Sequence, residues 1–168
     1  LKFGISYLYS ESELRNKSLL DSFPRGEYGL GSFATFRTYI QFTLDTRDNS
    51  AYAQKGFYVD GSIYYLPKSL DNKHHFGGSK IDLRTYFTSK LITRTTFAFR
   101  IAGQNVWGDF PFLAAACIGG GDNLLGYRRE RFSGTSSLYS MLQMRMQLSK
   151  IKLLINGTFG LHGFVESG

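Results

Sequence analysis

What most constrains this chain is a period-two alternation of apolar and polar residues, repeated in long runs. Over residues 33–44, Ala34, Phe36, Ile40, Phe42 and Leu44 share one parity, interrupted by Thr38, and Thr35, Arg37, Tyr39, Gln41 and Thr43 share the other. An extended backbone turns successive side chains to opposite faces, so the two sets line opposite sides of one strand. The pattern recurs over 57–65, 81–87, 93–101, 138–148 and 151–165, and more weakly over 3–7. A helix would need apolar residues at spacings of three and four, which these runs lack. With 15 Phe, 11 Tyr and 19 Gly, the composition also suits strands and tight turns rather than a helical bundle.

The connections between the seven predicted strands alternate in length. Residues 10–32, 67–78 and 104–135 are long, whereas 45–50, 89–91 and 149–150 are short. Outer-membrane barrels have long loops on one side and short turns on the other. Alternating strands also build soluble sandwiches and lipocalin-like barrels. Soluble strands are usually about five or six residues long, and a tilted membrane-crossing strand has about nine to eleven. Several runs here have ten to fifteen. Their polar parity carries Arg37, Arg84, Arg94, Arg100, Arg145, Lys152 and Glu166, a charge density suited to a water-filled or plugged interior.

The expected fold is therefore all-β, an antiparallel transmembrane β-barrel. Phe36, Ile40, Phe42, Phe97, Phe99, Leu142 and Met144 should face lipid, and Arg37, Arg94, Arg100, Gln143 and Arg145 the lumen. A bacterial barrel closes with an even strand number from about eight upward. Seven strands thus make residues 1–168 a partial barrel, with 104–135 as a long connection. Leu1-Lys2-Phe3-Gly4 shows neither a Met nor a signal-peptide pattern, and Glu166-Ser167-Gly168 stops inside a run. Both ends read as cut from a longer protein.

The formal charge is +7, from 20 Lys and Arg against 13 Asp and Glu. These basic residues are scattered. The one dense cluster, Arg128-Arg129-Glu130-Arg131, contains an acid, and no zinc-finger or RNA-recognition pattern accompanies it. No nucleic-acid partner is expected. A single cysteine, Cys117, excludes a disulfide within the chain and a Cys-based zinc site. It reads as a small residue packed where the long connection enters the barrel. His74-His75 lies in a charged connection and only His162 in a strand, so no triad assembles and the pair reads as solvated. Asp45, Asp48, Asp60 and Asp82 leave paired-carboxylate chemistry open without requiring it. The longest apolar run, 112–118, has seven residues, against about twenty for a membrane helix. No catalytic residue, metal or cofactor is assigned.

Residues 118–134 read Ile-Gly-Gly-Gly-Asp-Asn-Leu-Leu-Gly-Tyr-Arg-Arg-Glu-Arg-Phe-Ser-Gly. A Gly-rich run can cradle phosphate, but neither Gly-Lys-Ser/Thr nor a helix pattern follows. The segment instead resembles the signature loop of the BamA/TamA-type outer-membrane assembly superfamily, the bacterial surface antigen family. There a Gly-rich stretch leads into a Val/Leu-Arg-Gly-Phe/Tyr tetrapeptide. Its counterpart here is Leu124-Leu125-Gly126-Tyr127, after Gly119, Gly120, Gly121, Asp122 and Asn123. Arg128, Arg131, Phe132 and Gly134 then resemble Bacteroidetes-type versions. Leu44-Asp45-Thr46-Arg47-Asp48-Asn49 with Lys55-Gly56-Phe57 is similar to the family's periplasmic hairpin. Gly160-Leu161-His162-Gly163-Phe164-Val165-Glu166-Ser167-Gly168 is similar to the strand two after the signature loop. The three matches come in the family's order and, with the strands between, span nearly the whole chain.

The resemblance implies the middle-to-late strands of a larger barrel in the bacterial outer membrane, with 104–135 folded back into the lumen. It implies a non-enzymatic role in assembling and inserting outer-membrane proteins, or in translocating polypeptide. The partners would be outer-membrane lipids, unfolded outer-membrane protein clients and accessory assembly subunits. Two other functions stay open: a barrel that anchors or exports an attached hydrolase, phosphoesterase or patatin-type, and a soluble β-barrel binding protein. One position departs from the family. The tetrapeptide's Arg pairs with an acid on the inner wall; Leu125 stands in its place, and Glu166 matches the acid. Arg128 or Arg131, not residue 125, is therefore expected to contact Glu166 or another lumenal acid, and Leu125 to pack on apolar or aromatic neighbours such as Tyr127.

Overall fold

The computed structural model describes residues 1–12, 31–70, 74–90, 93–121, 123–152 and 156–168. Several expectations lie outside them: residues 13–30 of the first connection, 71–73 of the third, Leu91, Asp122, Leu153 and Ile155. The strands in chain order are β1 (Lys2–Ser12), β2 (Gly31–Asp45), β3 (Gly56–Leu66), β4 (Phe76–Ser89) and β5 (Arg94–Gly108), then β6 (Ala116–Ile118), β7 (Phe132–Gly134), β8 (Ser136–Lys152) and β9 (Asn156–Ser167). Seven of them form one antiparallel sheet in the order β1-β2-β3-β4-β5-β8-β9. The short β6 and β7 pair with each other inside the connection between β5 and β8. The sheet is open, edged by β1 and β9.

Register separates the two parities. Ile40 pairs with Ile63, Leu83 with Ile101, Phe97 with Met144 and Phe99 with Leu142. These residues share one face, on which Phe97 stacks against Phe87 at 5.1 Å. Phe36, Ile40, Phe42, Phe99, Leu142 and Met144 there are 38–52% exposed. So many large apolar groups without a covering layer would be an aggregation surface in water and are the lipid contact of a barrel wall. Arg37, Arg94, Arg100, Gln143 and Arg145 have the opposite parity, as the alternation required. We call that polar side the inner face.

Several boundaries differ from the sequence reading, including the start of β4 and the ends of β5 and β8. First, β4 starts at Phe76, so Gly77 and Gly78 are strand residues rather than the end of a loop. The Tyr64 ring occupies the place of a Gly78 side chain, and Trp107 Cε2 sits 2.9 Å from where a Gly77 Cβ would be. These glycines make room for cross-strand rings and do not mark a turn. Second, β5 runs to Gly108, into the segment expected to begin the connection. Third, β8 continues through Ser149-Lys150, which the apolar pattern marked as a turn, to Lys152. The pattern does change parity there, but the cause is a bulge: Gln147 pairs with Gly160 and Ser149 with Phe159, leaving Leu148 between them. One extra residue reverses the side-chain phase without ending the strand.

The compact apolar cluster lies at one end of the inner face. Leu66, Phe76, Val106 and Ala116 are 1–2% exposed, with Tyr64, Phe110 and Ala114 packed on them. Leu66, Phe76 and Val106 fall on the polar parity, yet residues of the β5–β8 connection cover them. Each such burial stabilises by about 1.5–3 kcal/mol, which holds that connection to the wall.

At the other end, the β2–β3 connection is braced by its own side chains. Arg47 donates to Asp45 through Nε (2.8 Å) and Nη2 (2.7 Å) and lies over the Tyr58 ring at 4.6 Å. Asp48 Oδ1 accepts the backbone N–H groups of Gln54 (2.9 Å) and Lys55 (3.2 Å). Asn49 Oδ1 accepts those of Ala51 and Tyr52. The Gln54 and Lys55 amides hold the Asp48 carboxyl below the usual carboxylate range.

Three outcomes follow from this architecture. A nitroxide at position 142 should collide more with oxygen, and one at 143 more with a water-soluble nickel chelate; the reverse order would invert the wall. Leu142→Arg should cost about 2–4 kcal/mol of folding free energy near the bilayer midplane, measured by unfolding from vesicles. In the hairpin, a lowered folded pKa gives Asp48 a stabilising contribution that is present above its unfolded value of about 3.9 and lost as pH falls through the folded one. Hydrogen exchange of the Gln54 and Lys55 amides, corrected for intrinsic rate, should therefore speed up below pH of about 4. In Asp48→Asn that acid-dependent component should vanish.

Candidate functional site

The polar face carries a continuous chain of charged and aromatic groups. Asp82 on β4 accepts from Arg84 two residues along (Nε 2.9 Å, Nη2 2.7 Å) and from Arg100 on β5 (Nε 3.2 Å, Nη2 2.7 Å). One carboxylate thus holds two guanidinium groups by paired hydrogen bonds, the strong geometry for this contact. Arg84 lies over the Tyr58 ring at 5.2 Å and Arg100 over the Tyr139 ring at 5.4 Å. Tyr139 on β8 is 1% exposed. Its hydroxyl donates to Glu166 Oε1 on β9 at 2.7 Å. The chain of contacts therefore crosses β3, β4, β5, β8 and β9.

Glu166 passes it on to the long connection. The Leu125 N–H donates to Glu166 Oε2 at 2.8 Å. Local geometry presents that amide. β6 and β7 pair Ala116 with Gly134 and Ile118 with Phe132, and close the base of the segment. Gly119 (φ 125°) and Gly120 (φ 65°) fold the chain back on itself. A Cβ on Gly119 would stand 2.7 Å from Arg128 O, and one on Gly120 2.6 Å from Arg129 N, so both the dihedral and the approach require glycine. Asn123 Oδ1 accepts the Gly119 N–H at 2.8 Å, and Gly119 O accepts that of Glu130 at 2.9 Å. Leu124 is left-handed at φ 44°, which costs a branched side chain on the order of 1 kcal/mol. Its carbonyl, which accepts the Gly120 and Tyr127 N–H groups, fixes it there, and its side chain is 7% exposed. The next N–H is the one that meets Glu166.

The expected substitute ion pair is absent among the described residues. Glu166 takes its hydrogen bonds from Leu125 N–H and Tyr139 OH, and neither Arg128 nor Arg131 reaches it; Arg131 lies over the Phe132 ring at 5.8 Å instead. Nor does Leu125 pack away. It is 53% exposed while Leu124 is buried, and the Tyr127 ring meets Phe132 at 5.2 Å. The reason is directional: the amide approaches the acid, so the Leu125 side chain leaves in another direction. Gly121 and Gly126 have open space around them, and Asp122 lies outside the described residues. Sequence reasoning missed Tyr139, Asp82, Arg84 and Arg100 as one unit. Their shared polar parity on β4, β5 and β8 was the available signal.

The remaining candidates do not converge. Cys117 Sγ lies 3.3 Å from Ala115 O, and burial pushes the thiol's pKa up, away from the thiolate a nucleophile needs. His74 Nδ1 lies 3.3 Å from Asp109 Oδ2. His162 contacts the Gln143 side-chain amide on the neighbouring strand. Among the described residues no three His, Cys, Asp or Glu gather as a metal site.

A single-layer antiparallel wall, apolar outside and charged inside, with a long connection bonded to the inner face, has the build of an outer-membrane β-barrel. The match to known families agrees: the Omp85 superfamily domain covers residues 1–168, and the chain belongs to that superfamily. No curated protein and no solved structure matches the chain. Members of the superfamily are bacterial outer-membrane proteins that insert or translocate polypeptides, working with client proteins and accessory subunits.

The Leu125–Glu166 contact makes a backbone prediction. Leu125→Ala keeps the N–H and should change stability by less than about 0.5 kcal/mol. Leu125→Pro and Tyr139→Phe each remove one donor to a carboxylate and should cost about 1–3 kcal/mol. Tryptic cleavage after Arg128 and Arg129 reads the release of the segment. Equal cleavage in Leu125→Ala and Leu125→Pro would rule out an amide-based contact.

Proposed function

We propose that this chain forms wall and lumenal loop of a barrel that assembles and inserts proteins in the bacterial outer membrane, or passes polypeptide across it. Its partners are unfolded outer-membrane protein clients, the surrounding lipids and accessory assembly subunits. Residues 104–135 act as the lumenal signature loop, with Glu166 as the acid on the wall that receives it. The hydrogen bond from Leu125 N–H to Glu166 at 2.8 Å carries this reading. A connection that only capped the barrel would need no acid on the inner wall to receive its backbone. Here the Gly119–Gly120 fold, the left-handed Leu124 and the Tyr139 hydroxyl all converge on that one contact. A loop held at fixed depth keeps the wall in shape while client strands add to a barrel edge through main-chain hydrogen bonds, a mode of recognition that needs an exposed strand and no covalent chemistry.

The test uses the full-length protein in lipid vesicles and a urea-denatured outer-membrane barrel as client. Folding of the client, followed by its heat-resistant gel mobility, should be faster than in empty vesicles. Glu166→Ala should slow it about tenfold, or ~1.4 kcal/mol of barrier, and Glu166→Gln less, because Gln still accepts from Leu125. No acceleration by the wild-type protein would reject the assembly function. Acceleration unaffected by Glu166→Ala would reject the role of the contact.

A further inference from the structure

Beneath the β2–β3 connection lies a cavity of about 260 Å³ whose floor is the inner face of β4, β5 and β8. Arg47, Arg84, Arg100 and Arg145 all line it. From this geometry we infer that the cavity is a binding site for a small oxyanion, a phosphate or a carboxylate. The connection forms its roof through contacts with all three strands. Thr88 Oγ1 on β4 donates to Gln54 O at 2.8 Å, Arg94 on β5 donates to the Gln54 side chain, and Arg145 on β8 lies over the Tyr52 ring at 5.1 Å. Ala53, between those anchors, is 3% exposed. Two strands, β4 and β5, separate the roof's own hairpin from β8 and Arg145 in the sheet order.

The charges inside do not balance. Asp45 pairs with Arg47, and Asp82 pairs with both Arg84 and Arg100. Among the described residues, four guanidinium groups stand against these two carboxylates, a surplus of two positive charges. Asp60 stands opposite Asp82 across β3 and β4 and reduces the surplus to one, but it faces the neighbouring cavity and is held by Gln41 (3.0 Å) and Thr43 (2.7 Å). Arg145 is the source of the excess. Its partners are neutral: Gln143 Oε1 at 3.1 Å and 2.6 Å, and Ala53 O at 3.5 Å. A cation covered by a roof and facing other cations attracts an anion more strongly than a solvated one does.

Donors are available as well as charge. Each guanidinium carbon lies over a ring: Arg47 and Arg84 over Tyr58, Arg100 over Tyr139, Arg145 over Tyr52. A cation–ring contact is compatible with hydrogen bonds from the guanidinium N–H groups. Arg145 donates once from Nη1 and once from Nη2, so each nitrogen keeps a second N–H. Arg47 likewise keeps N–H groups beyond those given to Asp45 and Ser50. Planar donor pairs match the oxygens of phosphate and carboxylate. With water occupying on the order of 30 Å³, the cavity has room for such an ion with part of its hydration. An occupant would tie the hairpin to the wall across a gap that protein side chains leave positively charged.

The probe is inorganic phosphate, titrated into the full-length protein in detergent micelles against chloride at matched ionic strength, with sodium acetate as a second arm. Thermal unfolding and calorimetric binding are read together. Phosphate should stabilise the wild-type protein saturably and chloride should not. Saturation by phosphate alone assigns the site to tetrahedral oxyanions; saturation by acetate, alone or with phosphate, assigns it to carboxylates. Either upholds the site. Arg145→Gln should raise the dissociation constant at least about tenfold, whereas Arg129→Gln, in the β5–β8 connection, should leave it unchanged. Equal weakening by both variants would mean diffuse attraction and would overturn the site. The wild-type titration needs no variant: no saturable effect of either anion over chloride also overturns it.

Discussion

A wall one strand thick has no interior of its own. Every side chain of the sheet points either outward to an apolar medium or inward to a shared polar space, and that single constraint governs the rest of this structure. Outside, the solution is uniform: Phe, Ile, Leu and Met in cross-strand pairs, exposed because lipid is their partner. Inside, each charged group has to find partners across the strands, because burial of an unpaired charge is costly. Asp82 meets this demand for two arginines at once, and Tyr58 and Tyr139 supply ring faces beneath them.

The same demand explains how the β5–β8 connection is held without an arginine at position 125. Glu166 needs donors, and it does not matter to the carboxylate whether they come from a guanidinium, a phenol or a backbone amide. Here a phenol and an amide serve. An amide cannot be lost by a side-chain substitution, except by proline, so the contact tolerates leucine at position 125. What it does require is backbone shape, and the burden moves to Gly119, Gly120 and the left-handed Leu124. Specificity has passed from one side chain to a fold of the main chain.

The two ends of the wall are closed by different means. At the long-connection end, Leu66, Phe76, Val106 and Ala116 form a small apolar cluster under the loop. At the hairpin end, the closure is polar: Thr88, Arg94 and Arg145 hold the roof over a cavity rich in arginine. Apolar burial fixes a segment without direction, and hydrogen bonds fix it with direction. The β5–β8 connection has both, since Leu124 is buried beside the directional bond of Leu125.

Much of the fold was legible in the alternation. The seven strands of the main sheet, their antiparallel order and the assignment of Phe99 and Leu142 to one face and Arg100 and Gln143 to the other follow from period two, because extended backbone leaves only two directions; β6 and β7 do not. The sequence also singled out the Gly-rich segment and Glu166 as a family pattern, but expected an arginine rather than the Leu125 amide to meet the acid. Tertiary structure decided the remainder. A parity change reads alike for a turn and a bulge, and only the pairing of Ser149 with Phe159 tells them apart. A glycine reads as a turn until a ring such as Tyr64 lies over it. Above all, sequence patterns describe side chains, whereas Glu166 is met by the N–H of Leu125, a group every residue but proline carries. Which amide reaches the acid depends on the path of the chain through space, and no residue type announces that path.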